Sequence, residues 1–351
     1  FTMKCTIQNI ADHLGLSRNT VSKALKNSSE VSENTRNLVI KTASKLGYKN
    51  ATFATPVIPA SETGSNGTIL FLTRTYASDS EFWTTVLRGI ESILSNANYH
   101  LAISIMSDSD LKQLNFPQTI SDSSIKGIIL VEICDKVVCD ALSQFNLPIV
   151  SVDMPNVPFE ELNGIDVVTM ESKKNLKKII NQLIEKGAES FGFVGDLYSP
   201  NVSRGFQERY NALSECLAEH QIPLNQKNCL LHQTTEDFRN FQTTVNNLQA
   251  MVSLPDVFVC GNDWTAIQLI YALQFLGFQI PKDICVVGFD NIPAASRISP
   301  SLTTISTPQK YLGIAAARQI LERIQHPNCP HVFCQYETEL IIRNSTNITS
   351  F

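Results

Sequence analysis

Residues 6–26 read Thr-Ile-Gln-Asn-Ile-Ala-Asp-His-Leu-Gly-Leu-Ser-Arg-Asn-Thr-Val-Ser-Lys-Ala-Leu-Lys. The apolar positions at the start recur at the spacing of a helix with one buried face, namely Ile7, Ile10, Ala11 and Leu14. Thr6 is placed to cap this helix, and Gly15 can adopt the left-handed conformation that ends it. Ser17 is placed to cap a second short helix, whose inner face would hold Val21, Ala24 and Leu25. The stretch therefore predicts a helix-turn-helix.

The predicted outer face of the second helix is polar and consists of Arg18, Asn19, Ser22 and Lys23. An arginine can form two hydrogen bonds with guanine, and an asparagine can pair in the same way with adenine. The helix N-terminus at Ser17, together with nearby hydroxyl groups, can hold phosphates. An ordinary three-helix cap is the alternative, but it does not require these residue types in this order. We therefore interpret the stretch as a DNA-binding module.

A third capped segment and the charge distribution agree with this interpretation. The segment begins at Ser32 and ends at Gly47, and its predicted inner face consists of Thr35, Leu38, Val39, Thr42 and Leu46. Residues 1–50 contain eight Lys/Arg and three Asp/Glu, a net charge of +5, whereas the whole chain has a net charge of -5, which leaves -10 for the remainder. A basic N-terminal region on an acidic chain fits a module that faces phosphates.

Four segments of the basic region share a pattern, namely Thr6-Ile7, Leu16-Ser-Arg-Asn-Thr-Val-Ser22, Val31-Ser-Glu-Asn-Thr-Arg36 and Leu46-Gly47-Tyr48. In this order they resemble the N-terminal domain of the LacI/GalR family of bacterial repressors. The resemblance implies that Arg18, Asn19 and Lys23 read bases. It also implies that several hydroxyl groups mainly contact phosphates, which positions a domain without reading sequence. These hydroxyl groups belong to Thr6, Thr20, Ser22, Ser32 and Thr35.

Residues 51–66 are rich in small, polar and helix-breaking residues and are predicted to form a linker. Members of the family typically carry a hinge helix here, whose apolar wedge opens a minor-groove step of the operator. In this register Asn50 stands at the usual proline position and Val57 at the wedge position, but Pro56 and Pro59 flank the valine. A proline in a helix interior removes a hydrogen bond and clashes with the preceding turn. We therefore expect an extended linker or a different hinge.

From residue 67 onwards, short apolar runs rich in Val and Ile alternate with helix-length segments. The runs are Thr68–Leu72, Leu101–Ile105, Gly127–Val131, Pro148–Val152, Phe191–Val194, Val257–Cys260 and Ile284–Val287. This alternation is typical of parallel sheets covered by helices on both faces. The order of motifs resembles the type I periplasmic-binding-protein fold that the family carries behind its DNA-binding domain. The predicted fold class is an all-α helix-turn-helix domain followed by an α/β body of two doubly wound parallel-sheet lobes.

The predicted divisions are a DNA-binding domain at 1–50, a linker at 51–66, and an effector-binding and dimerisation body at 67–351. In the fold that the body resembles, the chain crosses between the lobes three times. We place these crossings near Asp166, Ile292 and Gln325. Lobe 1 would then comprise about residues 67–165 and 293–325, and lobe 2 about 166–292 and 326–345.

The resemblance places a small-molecule site in the cleft between the lobes, at the strand ends. Two strand ends in lobe 2 resemble those that contribute ligand contacts, here Asn262 with Asp263, and Asp290. A helix that resembles the arginine-bearing element of the family contributes Arg209, with Arg204 as the competing candidate. A carboxylate that accepts hydrogen bonds from adjacent hydroxyls, beside an arginine and an amide, favours a polyhydroxylated ligand, most simply a sugar or sugar derivative.

Aromatic side chains can stack on the apolar face of a sugar. The candidates are Phe82 and Trp83 in lobe 1 and Phe238 in lobe 2. Phe82 also opens a helical apolar stripe, so a position in the core is an equal alternative, whereas Trp83 lies off that stripe. Glu132 and Asp135 follow the third apolar run and are candidate contacts from lobe 1.

Other classes of protein find little support in the sequence. The chain contains no Gly-x-Gly-x-x-Gly, Walker loop, Gly-x-Ser-x-Gly or His-Glu-x-x-His motif, so we expect no enzyme and no cofactor. The nine cysteines are scattered and form no Cys-x-x-Cys pair, which favours buried reduced thiols in a cytoplasmic protein over a metal site or a disulfide framework. A transport-type binding protein would carry a secretory leader and would lack residues 6–48.

The sequence therefore predicts a homodimeric transcription regulator that binds operator DNA and a small, sugar-like effector, without a membrane partner. Two-fold pairing of the bodies would favour a roughly palindromic operator. The alternative is a ligand sensor of the same fold whose specific DNA binding is weak or lost.

Overall fold

The computed structural model describes residues 6–25, 31, 32, 35, 36, 38, 39, 42, 43, 65–74, 80–197, 204–232 and 240–348. Residue contacts separate the chain into two compact units, Phe1–Gly64 and Ser65–Phe351. The predicted hinge with Val57 and the aromatic candidate Phe238 lie outside the described residues, as does the predicted linker as far as residue 64.

The first helix of the N-terminal unit, α1 (Ile7–Leu14), has an end signal on each side. Thr6 and Asn9 form a reciprocal capping box, in which each side chain accepts the backbone N–H of the other residue. Gly15 follows the helix at φ 65°, a left-handed conformation that costs glycine little. Both features agree with the sequence-based assignment of this helix.

The second helix of the same unit, α2 (Arg18–Leu25), packs its apolar side against α1. The Ser17 hydroxyl accepts the backbone N–H of Thr20 at 3.0 Å and so caps this helix. Ile10, Ala11, Val21, Ala24, Val31, Val39 and Ala43 form the buried core of the unit. Leu38 was predicted on the inner face of the third segment but is 51% exposed, whereas Val39 and Thr42 of the same predicted face are buried, as is Ala43.

The described part of the second unit contains two six-stranded sheets, one in each lobe. The strands of lobe 1 are β1 (Thr68–Arg74), β2 (His100–Met106), β3 (Ile125–Val131), β4 (Ile149–Val152), β5 (Ile165–Met170) and β11 (Phe333–Tyr336). The strands of lobe 2 are β6 (Phe191–Asp196), β7 (Leu230–His232), β8 (Val257–Cys260), β9 (Cys285–Asp290), β10 (Thr303–Ser306) and β12 (Glu339–Ile341). The spatial orders are β11-β5-β4-β3-β1-β2 and β12-β10-β9-β8-β6-β7.

These orders explain the continuous apolar runs of the sequence. All neighbouring strands are parallel except the β10–β12 pair, and helices cover both faces of the sheets. In lobe 1 the helices are α3 (Glu81–Leu94), α4 (Asp108–Gln113), α5 (Lys136–Ser143) and α10 (Gln309–Gln325). In lobe 2 they are α6 (Lys174–Glu185), α7 (Arg204–Glu219), α8 (Phe241–Ala250) and α9 (Asp263–Phe275). The predicted fold class, with two doubly wound lobes, is confirmed.

The contact between α3 and α10 is close enough to require glycine on both helices. A Cβ atom on Gly89 would collide with the Lys310 carbonyl oxygen, and one on Gly313 would collide with the Val86 carbonyl oxygen. This contact fixes α10, the helix that returns to lobe 1 after the chain has passed through lobe 2.

The crossings between the lobes lie later in the chain than the sequence suggested. The crossing predicted near Asp166 is close to the observed one, which follows the end of β5 at Met170. Asp166 itself lies inside β5, where its buried carboxylate accepts hydrogen bonds from Arg323 at 2.8 and 3.0 Å. Strand β10 stays in lobe 2, so the predicted return near Ile292 is wrong, and β11 belongs to lobe 1, so the crossing near Gln325 is also wrong. The observed crossings follow β5, β10 and β11.

No helix within the described ranges is both long enough and apolar enough to cross a membrane.

Candidate functional site

The outer face of α2 presents the residue types that were predicted to read bases. Arg18 and Asn19 are exposed in its first turn, and Ser22 and Lys23 are half-buried one turn later. Arg18 and Ser22, and likewise Asn19 and Lys23, are four residues apart and share one side of the helix, whereas Val21 and Ala24 are buried against the core of the unit. The helix therefore offers a polar ridge of a size that can enter a major groove.

The hydroxyl groups predicted to contact phosphates cluster at helix N-termini. The Ser17 and Thr20 hydroxyls lie 2.8 Å apart at the start of α2, and the Ser32 and Thr35 hydroxyls lie 2.8 Å apart at the start of the third helical segment. Thr6 occupies the same position at α1, where it is exposed. The hydroxyls of Thr6, Ser17 and Ser32 are caps, and those of Thr20 and Thr35 bond the capping hydroxyls beside the backbone N–H groups that favour anions. Ser22, which was also predicted to contact phosphate, lies further along α2.

The cleft of the second unit is lined by residues at the carboxyl ends of strands from both lobes. In lobe 1, Arg74 ends β1, and Glu132 follows β3 directly. In lobe 2, Asp196 ends β6 and Asp290 ends β9. The strand order reverses at β1 and β3 in lobe 1 and at β6 and β8 in lobe 2, and ligands of open α/β sheets bind in the crevice at such switch points.

Arg209 on α7 is the central cation of this cleft. Its side chain is only 3% exposed, its Nη1 donates to the Gly261 carbonyl oxygen at 2.6 Å, and its guanidinium lies 3.6 Å from the centre of the Phe289 ring. Burial lowers the pKa of Arg209, while the charges of Asp290 and Asp153 oppose that shift. Its Nε has no hydrogen-bond partner among the described residues, so one donor is left for another molecule.

Asp290 sits in a turn that the surrounding residues hold in an uncommon conformation. Its φ of 120° lies in the left-handed region, and its carbonyl oxygen accepts hydrogen bonds from Gln309 Nε2 at 2.7 Å and Thr307 Oγ1 at 3.1 Å. Burial raises the pKa of Asp290 well above its ordinary value, and Arg209 acts in the opposite direction. The turn therefore fixes a carboxyl group beside the central arginine.

Asp263, which was predicted to contact a ligand, is fully buried and performs a different task. Its carboxylate accepts the Thr304 hydroxyl at 2.6 Å and the backbone N–H of Ile292 at 2.9 Å. Burial raises the pKa of Asp263 to about 6, and the two hydrogen bonds limit that rise. Both oxygens are engaged because β9 and β10 end beside the start of α9. Asp263 thus positions the Asp290 turn rather than facing the cleft.

Asn262 is half-buried at the N-terminus of α9. Its Oδ1 accepts the backbone N–H of Thr265 at 2.9 Å, the geometry of a helix cap. The Nδ2 group of the same amide can still donate to a ligand, because one acceptor suffices for the cap.

Two of the lobe 1 candidates take different positions. Phe82 is 5% exposed and belongs to the hydrophobic core, so its alternative role in stacking is excluded by packing. Trp83 is half-buried, lies edge-on to Phe82 and donates a side-chain hydrogen bond to Glu132.

Asp135, a further candidate from lobe 1, has a structural role, because it caps α5 by accepting the backbone N–H of Val137 at 2.9 Å. The lobe 1 wall is therefore formed by Trp83 and Glu132.

Glu132 has the most unusual environment among the predicted site residues. Its backbone has a φ of 58°, and burial raises its carboxyl pKa to about 8. Arg74 opposes the shift, whereas the neighbouring charges of Asp153 and Asp196 add to it. Its Oε2 is shielded from solvent and accepts no hydrogen bond from the described residues.

Arg204, the competitor of Arg209 in the sequence, bridges the two lobes outside this cluster. Its backbone N–H donates to the Met154 carbonyl oxygen at 3.1 Å, and its side chain pairs with Glu208 at 2.7 Å. The geometry thus separates the two arginines, with Arg209 beside Asp290 and Arg204 at the edge of lobe 1.

Sequence reasoning missed Arg74, Asp153 and Asp196 as members of the cleft. Each stands at or directly after the carboxyl end of a parallel strand, which is the signal that could have found them. No group of three or more His, Cys, Asp or Glu side chains within the described residues could hold a metal ion.

Comparisons with known proteins agree with both parts of the chain. Residues 6–50 match the model described as bacterial regulatory proteins, lacI family, and residues 180–346 match the model described as periplasmic binding protein-like domain. The ribose operon repressor of Haemophilus influenzae is 27% identical over 344 residues, which cover 97% of this chain and 98% of that protein. The transcriptional repressor PurR of Photobacterium profundum is 26% identical over 345 residues, with the same coverage of both chains.

A solved structure gives the same result for the body. The LacI family transcriptional regulator from Enterococcus faecium, crystallised with bound ribose, matches with a TM-score of 0.65 and 25% identity. The match covers 80% of this chain and 98% of that one. Together with the two family models and the relatives that match along nearly the whole length, this shows that the chain belongs to the LacI family of bacterial regulatory proteins.

Proposed function

We propose that this protein is a transcriptional repressor that binds operator DNA through the outer face of α2 and responds to a small polyhydroxylated ligand in the interlobe cleft. The observation that carries the DNA-binding half is the exposed Arg18-Asn19 pair in the first turn of a capped helix. The positive charge of residues 1–50 adds an attraction to the DNA phosphates that does not depend on base sequence. The two relatives from Photobacterium profundum and Haemophilus influenzae, which match along nearly the whole chain, are both named as repressors.

The ligand-binding half of the proposal follows from the hydrogen-bonding groups of the cleft. Arg209 Nε is a buried donor and Glu132 Oε2 a buried acceptor, and neither has a partner among the described residues. Asp290 adds a carboxyl group, and Trp83 adds an aromatic surface. Alternating donors and acceptors beside an aromatic ring suit a sugar, whose hydroxyls both donate and accept and whose ring carries apolar C–H faces.

The connection between the cleft and the rest of the body supports a role for the ligand in control. Gln309 and Thr307, which hold the Asp290 carbonyl oxygen, lie where the chain crosses from β10 in lobe 2 to α10 in lobe 1. A ligand that pulls on Asp290 therefore acts on a crossing segment. By linkage, a ligand that weakens operator binding must itself bind more weakly to the DNA complex.

A homodimer is part of the proposal because the body exposes apolar side chains on an edge strand and on a helix. Ile103 and Ile105 on the edge strand β2 are 53% and 48% exposed, and Phe275 on α9 is 68% exposed. An uncovered apolar edge strand invites pairing with another chain. A two-fold dimer would present two α2 helices to two half-sites of a roughly palindromic operator.

In vitro selection from randomised duplex DNA, with the full-length protein at two salt concentrations, tests the DNA-binding half. The wild type should recover a palindromic motif, and Arg18→Ala should relax the preference at one position per half-site by about 1–3 kcal/mol. Arg297→Ala removes an exposed arginine from lobe 2 and should leave the motif unchanged.

Two outcomes of that selection would contradict the proposal. Equal losses on specific and random DNA in Arg18→Ala would show a phosphate contact rather than base reading. Recovery of only a salt-sensitive background, with and without sugars, would favour the alternative of a ligand sensor that lacks specific DNA binding. Pro56 and Pro59 in the predicted hinge are the sequence feature that favours that alternative.

A further inference from the structure

The turn that carries Asp290 contains two consecutive residues in a backbone conformation that is uncommon for residues other than glycine. Asp290 has a φ of 120° and Asn291 a φ of 57°. This region of backbone conformation is strained for a residue with a Cβ atom, and it persists only where the surrounding structure holds it. The contacts that hold this turn therefore decide where the Asp290 carboxyl group lies in the cleft.

Asn291 is held in this turn through its backbone and through both ends of its side-chain amide. Its backbone N–H donates to Thr304 Oγ1 at 3.3 Å, and its Nδ2 donates to Ser306 Oγ at 3.1 Å. Its Oδ1 accepts Arg343 Nη2 at 2.6 Å. Thr304 and Ser306 belong to the neighbouring strand β10, whereas Arg343 follows β12 and is 52 positions away from Asn291. The turn thus depends on a side chain from the C-terminal segment of lobe 2.

Arg343 is itself anchored in lobe 2. Its backbone N–H donates to Thr303 Oγ1 at 2.8 Å, and its carbonyl oxygen accepts the same hydroxyl at 3.1 Å. Its Nη1 donates to the Leu302 carbonyl oxygen at 2.8 Å. Because Leu302 precedes β10 and Asn291 follows β9, the two guanidinium contacts join the two ends of the β9–β10 connection. A planar guanidinium can hold two acceptors in a fixed geometry, which the single ammonium of a lysine does not match.

The charge of Arg343 also acts on a second support of the turn. Asp263 accepts the backbone N–H of Ile292, the residue after Asn291, at 2.9 Å. Burial raises the pKa of Asp263, and the positive charge of Arg343 is among the effects that oppose this rise. Arg343 therefore supports the turn by direct contact and by favouring the ionised form of its second acceptor, because an ionised acceptor forms the stronger hydrogen bond.

We propose that Arg343 is a positioning residue of the ligand site, which holds the Asp290–Asn291 turn so that the Asp290 carboxyl group faces a polyhydroxylated ligand in the interlobe cleft. This inference rests on the proposed function and adds to it a residue that was not a candidate in the sequence. Arg343 contacts the turn at Asn291, so its effect on the ligand passes through the turn. A turn that is fixed before the ligand arrives does not have to be ordered during binding, which favours affinity.

Hydrogen exchange of the full-length protein without sugar tests whether Arg343 holds the turn. Arg343→Met removes the guanidinium donors and keeps an apolar stem. The peptide that contains Asn291 and Ile292 should then exchange about tenfold faster, the effect of losing a hydrogen bond to a charged group. Arg297→Met is the matched control, because Arg297 is an exposed arginine in the same β9–β10 connection, and this variant should leave the exchange unchanged.

A double-mutant cycle tests whether this positioning serves ligand binding. Asn291→Gly removes the acceptor of Arg343 Nη2 and introduces a residue that adopts a positive φ without strain. The probes are ribose, glucose, galactose and mannose, titrated calorimetrically into the full-length protein. For the probe that the wild type binds best, Arg343→Met and Asn291→Gly should each weaken binding about tenfold, and the double variant should lose little more than either. Arg297→Met should bind that probe as the wild type does.

Three outcomes would overturn the inference and leave the sensor function standing. The first is unchanged exchange at the turn in Arg343→Met, and the second is unchanged sugar affinity despite faster exchange. The third is a loss of about a hundredfold in the double variant, because additive losses would show that the two residues act independently. If Arg343→Met fails to fold, as judged by its melting curve, Asn291→Gly alone should show faster exchange and weaker binding, and no change in either would contradict the inference.

A different outcome concerns the proposed function itself. If none of the four sugars binds saturably to the wild type, the sugar-sensing part of the proposed function falls, and the ligand-positioning role of Arg343 falls with it.

Discussion

The two walls of the interlobe cleft are built on different principles. On the lobe 2 wall, hydrogen bonds within the lobe hold the turn at Asp290, and Asp263 is engaged through both carboxylate oxygens. On the lobe 1 wall, Glu132 keeps an oxygen without a partner in the described chain, and Trp83 is partly exposed. The comparison suggests that lobe 2 contributes a rigid template, whereas lobe 1 contributes the groups that distinguish one ligand from another.

The largest effect that tests this division concerns two neighbouring aromatic residues of lobe 1. Phe82→Ala should lower the free energy of unfolding by about 3–5 kcal/mol, because it empties a packed core position. Trp83→Ala should cost clearly less, because that side chain is half-buried at the cleft. Urea unfolding of the two full-length variants, followed by circular dichroism, gives both values. Equal losses would contradict the assignment of Phe82 to the core and Trp83 to the ligand wall.

A smaller effect, on binding rather than stability, tests the lobe 2 wall. Asp290→Ala should weaken binding of the sugar that the wild type prefers by about 2–3 kcal/mol, the scale of a hydrogen bond to a charged group. Operator affinity without sugar should stay within about twofold of the wild type, since the variant leaves the N-terminal unit intact. Calorimetry gives the first value and fluorescence anisotropy with operator DNA the second. An unchanged sugar affinity would move the ligand site away from this wall.

The comparison of the walls also shows what sequence reasoning could reach. Arg209 and Asp290 lie in segments of lobe 2 that resemble ligand-contacting elements of the family, and the structure brings the two side chains together. Asp263 belongs to the same motif but is buried, because a motif gives the position of a residue and not the direction of its side chain. The helix-turn-helix could be predicted from the sequence because its signals, which are capping residues, a glycine and the apolar periodicity, lie within a few residues of one another.

The parts that the sequence did not reveal depend on contacts between distant residues. The buried pair of Asp166 and Arg323 joins residues 157 positions apart, so no local pattern indicates it. Arg74, Asp153 and Asp196 come from three separate strand ends, and only the strand order brings them to one cleft. Such residues carry no local pattern, so their role follows from topology.

The pH dependence of stability gives the finest distinction between the walls, because each holds a carboxyl group with a raised pKa. The pKa of Asp263 is raised from 3.8 to about 6, where two hydrogen bonds limit the effect of burial, and that of Glu132 is raised from 4.5 to about 8. A raised pKa means that the folded state binds the proton more tightly than the unfolded state. The corresponding stabilisation is complete below the unfolded pKa and is lost as the pH rises through the folded pKa.

Asp263→Asn should therefore remove a loss of stability between about pH 4 and pH 6, and Glu132→Gln a loss between about pH 4.5 and pH 8. Each loss should be on the order of a few kcal/mol, because one pKa unit corresponds to about 1.4 kcal/mol. Both amides keep an acceptor oxygen, so the hydrogen bonds from Ile292 and Trp83 can persist. Urea midpoints measured across this pH range for the wild type, the two variants and the surface control Glu160→Gln check the prediction. Curves that stay parallel to the wild type would show that neither carboxyl group titrates with folding. If both variants instead changed the same pH window, the two walls would not differ in how they compensate a buried carboxyl group. The difference in window follows from the hydrogen bonds that Asp263 accepts and from the charges of Asp153 and Asp196 near Glu132.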